Sequence, residues 1–119
     1  MSDAQLHSGS CHCGHVRFEV ETDLKTVISC NCSICTKSGI LWTFAPAEAF
    51  RLISGGDDLV EYQFNNHVIR HLHCPRCGVE SFARGKSPDG KDTAAINARC
   101  LDDVDIATLQ LMPFDGRSR

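Results

Sequence analysis

Four things are missing from this 119-residue chain, and each absence removes a class of function. No apolar run comes near the length of a membrane-spanning helix, about 18 residues, so no membrane partner is expected. Residues 1–7 carry neither a basic stretch nor an apolar one. They do not read as a secretory signal, which disfavours a secreted, disulfide-stapled domain. There is no basic stripe: 12 Lys and Arg stand against 15 Asp and Glu, for a net charge of −3. With a pI near 6.0, the chain lacks the electrostatic footprint of a nucleic-acid surface. Only Arg117-Ser118-Arg119 gathers positive charge, at a solvated end. Nor is there an internal repeat, beyond a recurrent cysteine-bearing turn. A cytoplasmic protein with a small-molecule or protein partner is left.

What is abundant is cysteine, with eight residues. Three fall together in Cys30-Asn31-Cys32-Ser33-Ile34-Cys35. Adjacent Cys-x-Cys sulfurs rarely meet the distance and dihedral angle of a disulfide. As thiolates they converge readily on one soft metal ion, and zinc is the default. Structural zinc sites are closed by four ligands, whereas catalytic ones keep a position for water or substrate. Three local ligands therefore suggest an open site, unless a fourth sulfur arrives from elsewhere. A domain of this length has a marginal core, and a metal staple would help it fold.

Taken in order, residues 1–8 are polar and expected to be loose, 9–116 form one domain, and 117–119 are a tail. Gly9-Ser10-Cys11-His12-Cys13-Gly14 is a second Cys-x-Cys turn. Val16, Phe18 and Val20 alternate with polar neighbours, the period of a half-buried strand. A short strand at 26–28 delivers the chain to Cys30. A helical turn starting near Ser33 ends at Gly39, and its free N–H groups would favour nearby thiolates. Strands are expected over 40–45 and 51–53, with a proline-initiated helical turn at 46–50 between them. A hairpin of 59–64 and 68–73 turns at Asn65-Asn66 and runs into Cys74-Pro75-Arg76-Cys77-Gly78, a third cysteine turn. Strands at 79–84 and 93–97 flank the longest loop, 85–91, and the end, 109–116, holds one last strand and a turn. The pattern is mainly β.

The two distant pairs, Cys11 with Cys13 and Cys74 with Cys77, can make one closed four-sulfur site, as paired turns do in zinc ribbons. That would tie the first strand to the middle hairpin. Cys30, Cys32 and Cys35 then hold a second metal by themselves, or with Cys100 or a histidine as fourth ligand. His73 precedes Cys74 on a strand and should face away. His12, His15, His67 and His71 are expected to be surface or hydrogen-bonded histidines.

These residues resemble a known family. Gly9 to Gly14, Cys30 to Cys35 with Lys37-Ser38-Gly39, Cys74 to Gly78, and Ile96-Asn97-Ala98-Arg99-Cys100-Leu101-Asp102 look like the glutathione-dependent formaldehyde-activating enzymes, to which centromere protein V also belongs. The resemblance spans Gly9 to about Gly116. It implies several small coiled antiparallel β-sheets stapled by zinc. It also implies two zinc ions per chain, a structural one on Cys11, Cys13, Cys74 and Cys77 and a catalytic one on Cys30, Cys32 and Cys35. The founding activity is the condensation of formaldehyde with glutathione to S-hydroxymethylglutathione, a carbon–sulfur lyase reaction, so glutathione is the expected thiol substrate.

Three thiolates on a dication leave an overall negative charge, which acidifies a bound water less than a histidine-rich site does. A soft fourth ligand such as a substrate thiol suits the position better. Asn31, Ser33 and Lys37 are candidates to assist there, and Trp42 and Phe44 to wall a pocket or pack the core. Cys100 is expected as a buried thiol lining the pocket of the second metal. Two functions compete: an enzyme acting on a thiol adduct, and a non-catalytic interaction module stapled by two structural zincs.

Overall fold

Period-two alternation decides the first half of the molecule. Phe18 and Val20 are buried on one face of their strand, with Arg17 and Glu21 exposed on the other. The computed structural model describes residues 4–63, 69–86 and 89–115. Its strands are β1 (Gln5–Ser10), β2 (Arg17–Thr22), β3 (Val27–Cys30), β4 (Leu41–Pro46), β5 (Phe50–Ser54), β6 (Val60–Tyr62), β7 (Arg70–His73), β8 (Glu80–Lys86), β9 (Asp92–Asn97) and β10 (Leu111–Phe114). A single α-helix, α1 (Ser33–Ser38), and three short 3-10 turns complete the described elements.

The mainly β reading holds. The strands gather into a three-stranded sheet, β1-β2-β5, and a seven-stranded one, β10-β3-β4-β9-β8-β7-β6. Pairing is antiparallel except that β10 runs parallel to β3, a crossover with no local sequence signal. The facing sides of the two sheets make the main core. Phe18 and Phe50 stack with ring centroids 5.5 Å apart, and Phe50 meets Phe82 of the large sheet at 4.8 Å. Each fully buried ring contributes roughly 1.5–3 kcal/mol. The opposite face of the large sheet carries α1 and a smaller cluster built on Cys35, Ile40, Trp42 and Ala83.

One expectation is corrected. The amino-terminal segment is loose in the polar-composition reading, yet from Gln5 onward it is β1, paired with β2 over six positions. Ladder hydrogen bonds and one side-chain tie do what apolar alternation does elsewhere. His7, buried opposite Val20, sits 3.1 Å from Asp103. Gly9 has no room for a side chain: a Cβ there would meet the Phe18 ring and come within 2.8 Å of the Cys100 carbonyl.

The hairpin of β6 and β7 forms as expected. Its turn, Asn65-Asn66, lies outside the described residues, as do His67, Ser87, Pro88 and the expected tail. No described helix is long and apolar enough to cross a membrane.

Candidate metal centres

The eight cysteines are unpaired thiols, and seven of them gather in two clusters. The first brings together Cys11 and Cys13, in the turn between β1 and β2, with Cys74 and Cys77, in the turn between β7 and β8. Every sulfur of the group lies within 4.8 Å of the others. Cys11 to Cys13 and Cys13 to Cys74 are each 3.7 Å. Sulfurs arranged tetrahedrally at the usual Zn–S length would stand about 3.8 Å apart. The spacing is far too long for a disulfide and fits a metal.

Both turns are shaped to accept that charge. Val16 N–H donates to Cys11 Sγ (3.3 Å), and Arg76 and Cys77 N–H groups donate to Cys74 Sγ (3.3 and 3.5 Å). Gly14 and Gly78, at φ +83° and +79°, take the left-handed backbone that closes each turn.

The second cluster is local. Cys30 ends β3, Cys32 caps the start of α1 and Cys35 lies in its first turns, the three sulfurs again within 4.8 Å. Gly39, in the left-handed conformation, ends the helix, with its N–H on the Cys35 carbonyl. Arg99 Nε reaches back to the Gly39 carbonyl at 3.1 Å and pins that end. Cys32 N–H donates to Cys30 Sγ (3.4 Å), and the Trp42 indole N–H donates to Cys35 Sγ (3.2 Å). Among the described residues, no fourth Cys, His, Asp or Glu joins this cluster.

Without a cation, crowded thiols cannot all ionise, and each cluster divides. In the first, burial raises Cys77, but the backbone N–H groups of Val79 and Cys13 and the neighbouring thiols bring it down to about 6. Cys13 is lowered by the His15 N–H, yet burial and the three other thiols carry it up to about 11. In the second, Cys32 is raised by burial but lowered overall by the N–H groups of Cys35 and Ile34 and by its partner thiols. Burial lifts Cys35 to about 12, with Cys32 and Cys30 adding to the rise against the Trp42 N–H. A bound dication removes the conflict by making every ligand a thiolate.

Cys100 is not where the sequence places it. It ends the 3-10 turn Ala98–Cys100 and packs against the main core cluster that includes Cys11 and Cys74, within electrostatic reach of Cys11 and Cys77. Burial pushes its thiol up, opposed by the Ser81 hydroxyl and reinforced by Cys11, Cys77 and Asp102. The reason is chain direction: after β9 the backbone turns to β1, with Leu101 bridging Gly9 and Asp102 N–H on the Ser8 carbonyl. Cys100 therefore neighbours the four-cysteine site and lines nothing at the other.

The remaining candidates divide. The Asn31 carbonyl accepts from Thr36 Oγ1 (3.0 Å), and Lys37 lies in the last turn of α1. Trp42 is buried at the second cluster, while Phe44 is exposed. His15 pairs with Asp58 at 2.8 Å, and His12 is exposed. His73 sits against the Val60 carbonyl and Glu80 rather than a metal. Sequence reasoning missed Glu80, which is buried with its Oε2 2.7 Å from His71 Nδ1. An acid opening an apolar strand, beside a hairpin strand with histidines at alternate positions, was the available signal.

A family model described as glutathione-dependent formaldehyde-activating enzyme matches residues 6–113. A solved structure of a Rhodobacter sphaeroides protein superposes with a TM-score of 0.78 at 28% identity, covering 89% of this chain and 97% of that one.

Proposed function

The chain belongs to the glutathione-dependent formaldehyde-activating enzyme family, and from that premise we propose a zinc-dependent carbon–sulfur lyase. It joins a small aldehyde to a glutathione-type thiol, or splits their adduct. One observation carries this reading: four sulfurs complete one site, while the second gathers three with no fourth ligand among the described residues. Zinc held by Cys30, Cys32 and Cys35 would supply a soft position that takes a substrate thiolate more readily than an acidified water.

The chain's own residues supply the surroundings. Trp42 N–H occupies a lone pair of Cys35, so that sulfur is held in place and its charge spread. A cleft of about 390 Å³ opens beside α1, lined by Ser33, Ile34, Lys37, Ser38 and Tyr62. That volume falls within the ~300–1,000 Å³ of small-molecule sites. The Lys37 ammonium there suits a carboxylate on the thiol. In the condensation, the substrate sulfur forms a bond to the aldehyde carbon, the carbonyl π pair moves to oxygen, and the thiol proton ends on that oxygen. All eight cysteines being unpaired supports a reducing, cytoplasmic setting.

The competing reading, a non-catalytic module with two structural metals, has one observation in its favour: none of the three sulfurs lines that cleft. Exchange NMR on ¹³C-formaldehyde and glutathione, with protein carrying two zincs, separates them. The lyase accelerates exchange between free aldehyde and thiol adduct, and Cys32→Ser does not. Fully loaded protein that leaves the uncatalysed rate unchanged speaks for the module.

A further inference from the structure

Behind the second cluster lies the most deeply buried ionisable pair among the described residues. His71 on β7 and Glu80 on β8 are 2.7 Å apart, with side chains 4% and 3% exposed. His73 Nε2 adds a contact at 3.5 Å to the other Glu80 oxygen. A buried hydrogen-bonded polar pair is costly to desolvate, and well-packed apolar residues of similar volume often stabilise a fold as well. Its value is better sought in what it orients. The His71 ring lies 6.2 Å from the Trp42 ring, tilted by 50°. Trp42 is the chain's only tryptophan; it packs with Ile40 and Ala83, and its indole N–H donates to Cys35 Sγ at 3.2 Å. Glu80 is fixed in its turn, because Asn97 Nδ2 donates to its backbone carbonyl at 3.0 Å.

We propose that His71 and Glu80 are positioning residues for the three-cysteine site. Together they hold the Trp42 indole where its N–H stays on the Cys35 sulfur, and so raise the affinity of that site for its metal. Glu80 fixes the imidazole, the imidazole fixes the indole face, and the indole fixes a ligand. An indole nitrogen can only donate, and a donor strengthens its bond as the sulfur becomes a thiolate. The inference rests on the reading of this cluster as a metal site. Partners that orient metal ligands from behind typically change metal affinity by about 10–100-fold.

The test uses full-length protein with the four-cysteine site left loaded. Metal is withdrawn from the three-cysteine site by a graded chelator, and the site is refilled with cobalt(II) to read its thiolate charge-transfer bands. His71→Gln, Glu80→Gln and Trp42→Phe should each weaken that site by about tenfold or more and shift the bands alike. Release from the four-cysteine site should not change. The double variant His71→Gln/Trp42→Phe should bind no more weakly than Trp42→Phe alone, because His71 acts only through the indole. Simple loss of packing would instead give additive losses. If Glu80→Gln fails to fold, His71→Gln carries the test. Wild-type affinity and spectrum in His71→Gln, or full additivity in the double variant, overturns the proposal. A wild-type protein that takes up no second metal overturns the reading of the site, and this inference with it.

Discussion

The two cysteine clusters differ chiefly in what they join. The four-cysteine site gathers turns 61 residues apart in the chain, Cys13 to Cys74, and links the small sheet to the large one beside the main core. The three-cysteine site is assembled within a six-residue stretch, on the far face of the large sheet. Its ties to the rest include the end of β3, the Asn31 N–H on the Phe114 carbonyl of β10, the Trp42 N–H, the Arg99 bond to Gly39 and packing against Ile40 and Ala83. Metal binding at the first closes a long loop and so contributes to global folding. At the second, a metal would organise a helix whose turn local hydrogen bonds already form. On the proposed function, sulfur chemistry of one kind would serve as a staple in one place and as a reactive site in the other.

The sharpest way to break this contrast is to remove one sulfur from each site. Structural zinc contributes on the order of 10 kcal/mol, comparable to the whole stability of a small domain, about 5–15 kcal/mol. We expect Cys74→Ser and Cys11→Ser to lose cooperative thermal unfolding altogether, as followed by circular dichroism. Cys32→Ser should keep the wild-type spectrum, lose one zinc of two by elemental analysis, and melt within a few degrees of the parent. Equal collapse of all three variants would make both sites structural and erase the distinction. The same asymmetry should appear on metal removal: a chromophoric chelator should take one equivalent from native protein quickly and the second only as the fold is lost. A single phase of two equivalents contradicts it.

A smaller effect is expected at Gly9, where β1 approaches both the Phe18 ring and the Cys100 carbonyl. Gly9→Ala must push strand or ring aside, a cost of about 1–3 kcal/mol, without touching a ligand. Urea unfolding should show that loss while both metals remain. A neutral substitution would mean that β1 is as loose as its composition suggests and that the staple alone holds the amino terminus.

The difference between the clusters also explains what the sequence made legible. Ligand spacing is local, so Cys11, Cys13, Cys30, Cys32, Cys35, Cys74 and Cys77 could be grouped by inspection, and alternation marked the buried face of β2. Contacts set by register and crossover could not be read this way. His7 meets Asp103, 96 residues away, only because the chain returns to β1 after β9. Glu80 meets His71 through strand pairing. β10 lies parallel to β3, an arrangement that two short strands announce nowhere. Trp42 was visible as an aromatic in a strand, but its bond to Cys35 depends on how α1 folds back over β4.

The smallest effect, and the finest probe, is at Cys100. It was expected beside the three-cysteine site and packs instead against the main core, within electrostatic reach of Cys11 and Cys77. The four-cysteine group is already complete without it, so a fifth sulfur has no place in a tetrahedral sphere. Its raised pKa, caused first by burial, keeps it a neutral thiol that packs like a small apolar group. Cys100→Ala should then cost roughly 1 kcal/mol or less in stability and leave two zincs bound. X-ray absorption at the zinc edge should give the same mean sulfur count as wild type, and chelator release from the three-cysteine site should be unchanged. A drop in sulfur count with faster loss of the weakly held zinc would mean that Cys100 reaches the second metal. The two sites would then be more alike than their geometry indicates. Faster loss of the tightly held zinc alone would make Cys100 a packing support of the staple.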